Sequence, residues 1–231
     1  MKKKCLLLGG AGFIGKNLAL FLKNQGYSLT IYDYSVMEKF SEEELEGIKI
    51  VERNFFNDEN LEESIKGNDV IIHLISSVNP AQSMVEPSKC YSNDLVKTIE
   101  MLEIARVNRV SRVIFISSGG TIYGNYDEEE YSEDMPTNPI NHYGIMKLAI
   151  EKVVLMYNQI YNMDNIILRV SNPYGKGQDP NKNLGAISVF AGKVLNGHNI
   201  QIYGDGENVR DYIYIDDVTR AIEKAIKYTS N

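Results

Sequence analysis

Short stretches of unbroken apolar residues alternate along this chain with longer stretches in which apolar positions recur every three or four residues. The first kind comprises CLLLGG at 5–10, LTIYDY at 29–34, IKIVE at 48–52, DVIIHLI at 69–75, RVIFISS at 112–118 and NIILRVS at 165–171. Hydrophobicity that is continuous rather than alternating predicts strands buried on both faces. The second kind, at 13–25, 58–66, 92–108 and 143–161, has the period of a helix with one apolar side. Strands and helices in alternation predict a parallel sheet covered on both faces, the doubly wound α/β architecture, because parallel neighbours need long crossovers and helices supply them. From 119 to 141 the stretch GGTIYGNYDEEEYSEDMPTNPIN is acidic and rich in turn formers, which predicts a loop beyond a strand end. Its DEEEYSED run reads as a solvated face rather than a metal site, since the carboxylates share no helical spacing. After residue 172 glycine, asparagine and proline break the pattern, with helical pieces at 184–196 and 216–228, so a small partner layer is expected there. No internal repeat is visible.

Composition narrows the picture. With 231 residues, 43% of them hydrophobic, the chain can bury one sizeable core. A formal charge of −7 argues against a nucleic-acid partner, so any anionic ligand has to be held locally. Cys5 and Cys90 offer neither a disulfide framework nor metal-ligand spacing, and a reducing cytoplasm fits best. The opening MKKKCLLL imitates the start of a signal peptide, but Gly9, Gly10 and Gly12 interrupt the apolar stretch too early. No segment approaches the ~18 apolar residues of a membrane span, so no membrane partner is expected. His142 and His198 lie in turn contexts and share no metal spacing, and His73 reads as a packed or cofactor-adjacent residue.

In LLLGGAGFIGKNLALFLKNQG, Gly9, Gly12 and Gly15 stand between a predicted strand and an amphipathic helix. A tight turn, close approach of a pyrophosphate to backbone N–H groups and close helix–strand packing all require residues without Cβ. The N–H groups and the positive end of the helix dipole then hold an anion with no basic side chain. Asp33 closes the second strand 18 residues after Gly15. An acidic side chain there accepts hydrogen bonds from adenosine ribose hydroxyls and repels a 2′-phosphate, which favours NAD over NADP. A structural glycine turn with Asp33 as a strand-end cap is the competing reading. The first reading makes residues 1–171 a Rossmann-type NAD-binding domain, with 172–231 a partial substrate-binding region interleaved with it.

Tyr143 and Lys147 stand four apart in HYGIMKLAIE, on one side of a predicted helix that follows the strand at 112–118. They are either helix surface or a base and its activating cation. A free phenol has a pKa of about 10, and lowering it by about three units asks for ~4 kcal/mol in favour of phenolate. A neighbouring ammonium and a cationic nicotinamide in a dry site can supply that. Following a dinucleotide loop, at the sheet edge where ligands bind in this architecture, the pair reads as chemistry.

At these residues the chain resembles the extended short-chain dehydrogenase/reductases of the nucleotide-sugar epimerase/dehydratase family, and within it the UDP-glucose (UDP-galactose) 4-epimerase branch. The likeness runs through GGAGFIG, VIIHLIS, FISSGGTIYG, NHYGIMK, LRVSNPYGKGQ and IYGDGENVRDYIYIDD, nearly the whole chain. The resemblance implies NAD as cofactor and a UDP-sugar or related nucleotide sugar as partner. It places Phe13 and Ile14 along the pyrophosphate, Asp33 on the adenosine ribose, and Asn54 and Phe55 beside adenine, with Asn54 standing where the family usually has aspartate. Leu74, Ile75 and Ser76 would pass under the cofactor, with Asn93, Ser117 and Val170 also on the cofactor side. Tyr143 would be the base and Lys147 its partner on the nicotinamide ribose. Ser83, Ser118 and Tyr143 would face the sugar, and Asn172, Tyr203 and Arg210 its nucleotide diphosphate, Arg210 through a bidentate phosphate contact. The bland readings of the last three are a turn residue, a core aromatic and a surface ion pair.

One departure matters. Where the family commonly has its catalytic serine or threonine, this chain has Gly119, so the hydroxyl must come from Ser118, which is preferred, or Thr121, or be replaced by water. The 4,6-dehydratase branch carries an aspartate and glutamate in this segment, and Gly119, Gly120 and Thr121 hold no carboxylate. The expected reaction is NAD-dependent inversion at C4 through a transient 4-keto sugar. A reductase or dehydratase on the same scaffold, or a non-catalytic NAD-binding protein, are the rivals. Family members usually continue past YIYIDD with elements that complete the sugar pocket, which is why the substrate region is expected to be partial. The family also implies a homodimer through the helices at 92–108 and 143–161.

Overall fold

The computed structural model describes residues 2–126, 130–182, 185–202 and 204–229. Its centre is a six-stranded parallel sheet in the order β3-β2-β1-β4-β5-β6, formed by β1 (Lys4–Leu8), β2 (Ser28–Asp33), β3 (Lys49–Glu52), β4 (Val70–His73), β5 (Arg112–Ser118) and β6 (Ile166–Val170). Register follows the apolar runs: Leu6 pairs with Thr30 on one side and Ile71 on the other, and Ile72 with Ile114. Strand order reverses between β1 and β4, so the two connections leaving this point run to opposite faces and open a crevice at the carboxyl ends of the strands.

Both faces of the sheet are covered. Cys5 and Leu7 point into one apolar cluster with α1 (Phe13–Asn24) and α9 (Ile215–Lys227), through Leu18, Leu22, Val218 and Ile222. Leu6 and Leu8 point into the other, with α3 (Leu61–Ile65), α6 (Val96–Val107) and α7 (His142–Tyr161), through Ile65, Met101, Met146 and Ile150. Adjacent residues of β1 are thus buried on opposite sides, which is why its sequence shows no alternation. Arg112 at the start of β5 is buried; its guanidinium meets Asp164 and donates to the carbonyl of Ala225 in the last turn of α9, where a cation complements the helix dipole.

Shorter elements departed from the periodic reading. The helix expected at 92–108 is two pieces, a π-helical turn Cys90–Leu95 and then α6. The helix expected at 58–66 shrinks to α3. Three short helices, α2 (Glu42–Leu45), α4 (Pro80–Val85) and α5 (Pro87–Lys89), span too few residues to show a period. α2 and α4 are fixed instead by capping boxes, Ser41 with Glu44 and Asn79 with Gln82. Beyond the main sheet, β7 (Asn172–Tyr174) pairs in parallel with β8 (Tyr212–Tyr214), and α8 (Ala186–Leu195) has no fully buried residue among those described. No helix among the described residues is long and apolar enough to cross a membrane.

Because α9 closes one face through a single apolar stripe, Ile222→Ala is expected to cost ~2–5 kcal/mol in urea unfolding, the loss of a buried side chain plus the cavity left behind. A cost below about 0.5 kcal/mol would mean that α9 is not part of the core.

Candidate active site

The turn after β1 is drawn against β2 by N–H bonds from Gly9 and Gly10 to the Tyr32 carbonyl, at 2.9 and 3.3 Å. It then turns into α1, where Gly15 lies so close to the incoming strand that a Cβ would stand 2.3 Å from the Gly9 carbonyl oxygen. Only glycine permits that approach. Gly12 is the N-cap of α1; no side chain caps the helix and no acidic residue occupies its first turn. The N–H groups of Phe13, Ile14 and Gly15 therefore point out of the helix end with no intrahelical acceptor, a cradle suited to a phosphate. Asp33 is buried at the end of β2, where its carboxylate accepts from the N–H of Ala11 at 3.0 Å and of Tyr34 at 2.8 Å. It pins the loop and keeps further lone pairs for a ribose hydroxyl. These features fit the dinucleotide that the sequence implied.

The segment after β4 runs beside this loop, with the Ile75 nitrogen 3.2 Å from where a Gly9 Cβ would sit. Leu74 and Ile75 are half-buried there and Ser76 is exposed, its hydroxyl donating to the Val78 carbonyl. Asn54 is exposed just past β3 and accepts from the Phe56 N–H, while Phe55 turns inward and packs its ring on Phe56 and His73.

Asn141 caps α7 by accepting from the Gly144 N–H at 2.7 Å, and the Tyr143 N–H donates to the Ser83 hydroxyl at 3.1 Å. Ser83 in turn donates to the Pro80 carbonyl, so its hydroxyl ties α4 to the start of α7. Gly144 lets α7 press on the loop after β5, since a Cβ would stand 2.4 Å from the Thr121 carbonyl oxygen. One turn on, Lys147 is 4% exposed; its ammonium donates to the Ile116 carbonyl at 3.0 Å and lies 5.6 Å from the centre of the Tyr143 ring and 4.7 Å from that of Phe115. Burial pulls Lys147 down to about 8, with the charges of Asp94 and Glu151 opposing. Burial also pushes the Tyr143 phenol up to about 12, the Asp94 charge adding to it. In the chain alone the phenol thus holds its proton more firmly than a free tyrosine, the reverse of what a base requires, because desolvation disfavours the phenolate.

The hydroxyls of the β5 end divide. Ser117 is buried and bonded to Glu151, which Arg169 grips at 2.9 Å. Ser118 is half-buried at the last position of β5, and Thr121 has its hydroxyl buried without a partner. Gly119 donates its N–H to the Val170 carbonyl and lies so tightly on β6 that a Cβ would stand 3.1 Å from the Arg169 carbonyl oxygen. On the substrate side, Asn172 begins β7 and donates through its side chain to the Asp211 carbonyl at 2.8 Å, whereas Arg210 is exposed and donates to the neighbouring Val209 carbonyl. Tyr203 lies outside the described residues. Asn93 is half-buried and interacts with Ser92. Its neighbour Asp94, which sequence reasoning passed over, is the residue buried against the site. The pair Asn93–Asp94 was visible in the sequence, but only the π-helical register decides which of them turns inward.

Residues 5–231 match the model of the NAD dependent epimerase/dehydratase family. The chain is 31% identical to a UDP-glucose 4-epimerase of Mycolicibacterium smegmatis over 232 residues, 96% of this chain and 72% of that protein. It is also 31% identical to a dTDP-4-dehydro-6-deoxyglucose reductase of Escherichia coli, covering 98% of this chain and 73% of that one. Among solved structures it is similar to the UDP-glucose 4-epimerase of Thermotoga maritima with UDP-glucose, with a TM-score of 0.90 and 32% identity over 99% of this chain and 74% of that one.

A buried lysine leaves a signature in stability. The unfolded chain binds this proton up to an ordinary lysine pKa near 10.5 while the folded one releases it near 8, so between these values stability rises with pH, by about 3 kcal/mol from this group. Below pH 8 the full penalty is present. Lys147→Met is expected to be more stable than the parent at pH 7 and to lose most of that rise in urea titrations between pH 8 and 10; a parallel rise in both proteins would contradict the burial of the ammonium.

Proposed function

Because the chain belongs to the NAD dependent epimerase/dehydratase family, and takes NAD as its cofactor, we propose that it inverts C4 of a nucleotide-diphosphate sugar of the UDP-glucose/UDP-galactose type. The observation that carries this reading is the Tyr143–Lys147 pair, a half-buried phenol over a buried ammonium at the carboxyl end of β5, the edge that also carries the uncapped, glycine-lined start of α1. When bound, NAD supplies a hydride acceptor for C4 and the positive charge that the phenol lacks in the chain alone. Tyr143 takes the proton of the C4 hydroxyl and later returns it. Lys147 stabilises the phenolate and, with one of its three N–H bonds directed to Ile116, has two left for ribose and phenol. Ser118 or Thr121 supplies the second hydroxyl at C4, in place of the side chain absent at Gly119. Asp33 holds the adenosine ribose, and Phe13, Ile14 and Gly15 the pyrophosphate.

Inversion needs a keto sugar that turns over between removal and return of hydride, so the nucleotide end has to be held while the hexose is free. Asn172 and Arg210, in residues 172–231, are assigned to the diphosphate, Arg210 for its bidentate donors. The absence of a carboxylate among Gly119, Gly120 and Thr121 disfavours elimination of water. The similarity to a 4-keto sugar reductase keeps net reduction as the second reading. Apolar side chains exposed on α6 and α7, among them Ile99, Leu155 and Ile160, support the expected pairing of two chains.

Purified protein with UDP-galactose is expected to form UDP-glucose without net change in NADH, and Tyr143→Phe to slow this ~10²–10⁴-fold. Stoichiometric NADH consumption with a 4-keto sugar, and no interconversion of the two hexoses, would instead identify the reductase. A fully active Tyr143→Phe variant would remove the proposed base.

A further inference from the structure

β5, β6, α7 and the loop after β5 meet at the ion pair of Arg169 with Glu151, whose side chains are 22% and 2% exposed. Glu151 lies on α7 one turn past Lys147. It accepts from the Ser117 hydroxyl on β5 and from Nε and Nη2 of Arg169 on β6, the last at 2.9 Å. Ser117 follows Ile116, whose carbonyl receives the Lys147 ammonium. The carboxylate therefore locks α7 to the sheet next to the contact that holds the lysine. A buried ion pair adds little stability over apolar residues of the same shape, so what it contributes is direction, here a planar guanidinium fork held at a fixed angle.

The other end of the fork aims away from the pair. Nη1 of Arg169 donates to the Tyr123 hydroxyl at 2.9 Å and to the Glu133 carbonyl at 3.0 Å, and the guanidinium carbon lies 5.2 Å from the centre of the Tyr123 ring. Tyr123 is buried, and around it the two described limbs of the loop, 119–126 and 130–141, are joined. Its ring meets that of Tyr131 edge-on at 5.6 Å, and its carbonyl accepts from the Asn138 N–H at 3.2 Å. Gly124 lies so close that a Cβ would stand 2.2 Å from the Asn138 carbonyl oxygen. The first limb continues β5 from Ser118 and carries Thr121, whose carbonyl presses on Gly144 and whose buried hydroxyl has no partner among the described residues. The second limb ends at Asn141, the cap of the helix that carries Tyr143. Arg169 thus grips both limbs.

We propose that Arg169 is a positioning residue: aimed by Glu151, it clamps the two limbs through the Tyr123 hydroxyl and the Glu133 carbonyl, and so fixes the hydroxyls that follow β5 relative to the Tyr143 phenol. The inference deepens the function proposed above and rests on its assignment of Tyr143 as the base and of a hydroxyl from this segment at C4. Arg169 and Tyr123 act without touching sugar or NAD. Reacting groups have to be held to within a fraction of an ångström, so loosening the limbs slows proton exchange at C4. Binding of the nucleotide end suffers less, because its proposed contacts lie at the start of α1 and in residues 172–231.

The test uses Tyr123→Phe, which keeps the buried ring and removes one oxygen atom, and Arg169→Lys, which keeps a charge for Glu151 and removes the fork. Without cofactor or sugar, hydrogen exchange followed by NMR at the Asn138 amide, which donates to the Tyr123 carbonyl, is expected to quicken about tenfold or more in both variants, while exchange in β1 keeps the parent rate. In turnover of UDP-galactose, kcat is expected to fall about tenfold or more with KM within about threefold of the parent. Both substitutions break one link, so the double variant is expected to be no worse in exchange or kcat than the worse single one. A residue that only stabilised the fold would lower resistance to urea and leave kcat of the folded protein intact. Unmoved exchange at Asn138 in Tyr123→Phe overturns the proposal even where Arg169→Lys fails to fold, and so do an unchanged kcat or effects that simply add. A parent that interconverts no hexoses would reject the proposed reaction, while quickened, non-additive exchange would still support Arg169 as the clamp of the loop.

Discussion

A buried ammonium beside a half-buried phenol is the constraint around which this structure is arranged. Removing Lys147 from water is unfavourable by several kcal/mol, and the fold offsets this with one carbonyl of β5, an aromatic face and the field of Asp94. Each of those groups depends on a long-range feature. The Ile116 carbonyl is held by the register of β5 against β6. Phe115 is set by the core on the α7 side of the sheet. Asp94 is set by a local change of helical register and by Ser77 in the segment that follows β4.

The same geometry ties the two halves of the site together. β1 and β4 are neighbours at the point where strand order reverses, so the glycine turn after β1 and the segment after β4 meet at Gly9 and Ile75. β5 is next in line, and the helix that follows its loop begins at Asn141, with Gly144 close enough to the Thr121 carbonyl to bring Tyr143 to the strand ends. Phosphate cradle, buried lysine and phenol thereby share one edge, although they come from residues 9–15 and 143–147. An acidic chain with a net charge of −7 can offer a polyanion a place at this edge because the uncapped start of α1 presents backbone N–H groups there and needs no surface lysine.

Much of this was legible in the sequence. Strands buried on both faces leave continuous apolar runs, and four of the six core strands fall within those runs, while β1 and β2 begin one residue before theirs. The glycine turn, Asp33 and the Tyr143–Lys147 spacing carry their chemistry in residue type and distance along the chain. What escaped was set by local register or by packing. Periodicity could place Asn93 and Asp94 on a helix but not choose between them, and the π-helical turn turned Asp94 inward. The link that Ser83 makes between α4 and α7, accepting from the Tyr143 N–H and donating to the Pro80 carbonyl, left no sequence signal. Spacing could place Tyr143 and Lys147 on one side of a helix, but it could not show the burial that pushes the phenol up in the chain by itself.

The most direct measurement follows the hydrogen on C4. With UDP-galactose deuterated at that carbon, an enzyme that lends a hydride to NAD and takes the same hydride back returns UDP-glucose with the deuterium still at C4. Product lacking the label, or carrying hydrogen from solvent at C4, would contradict the account.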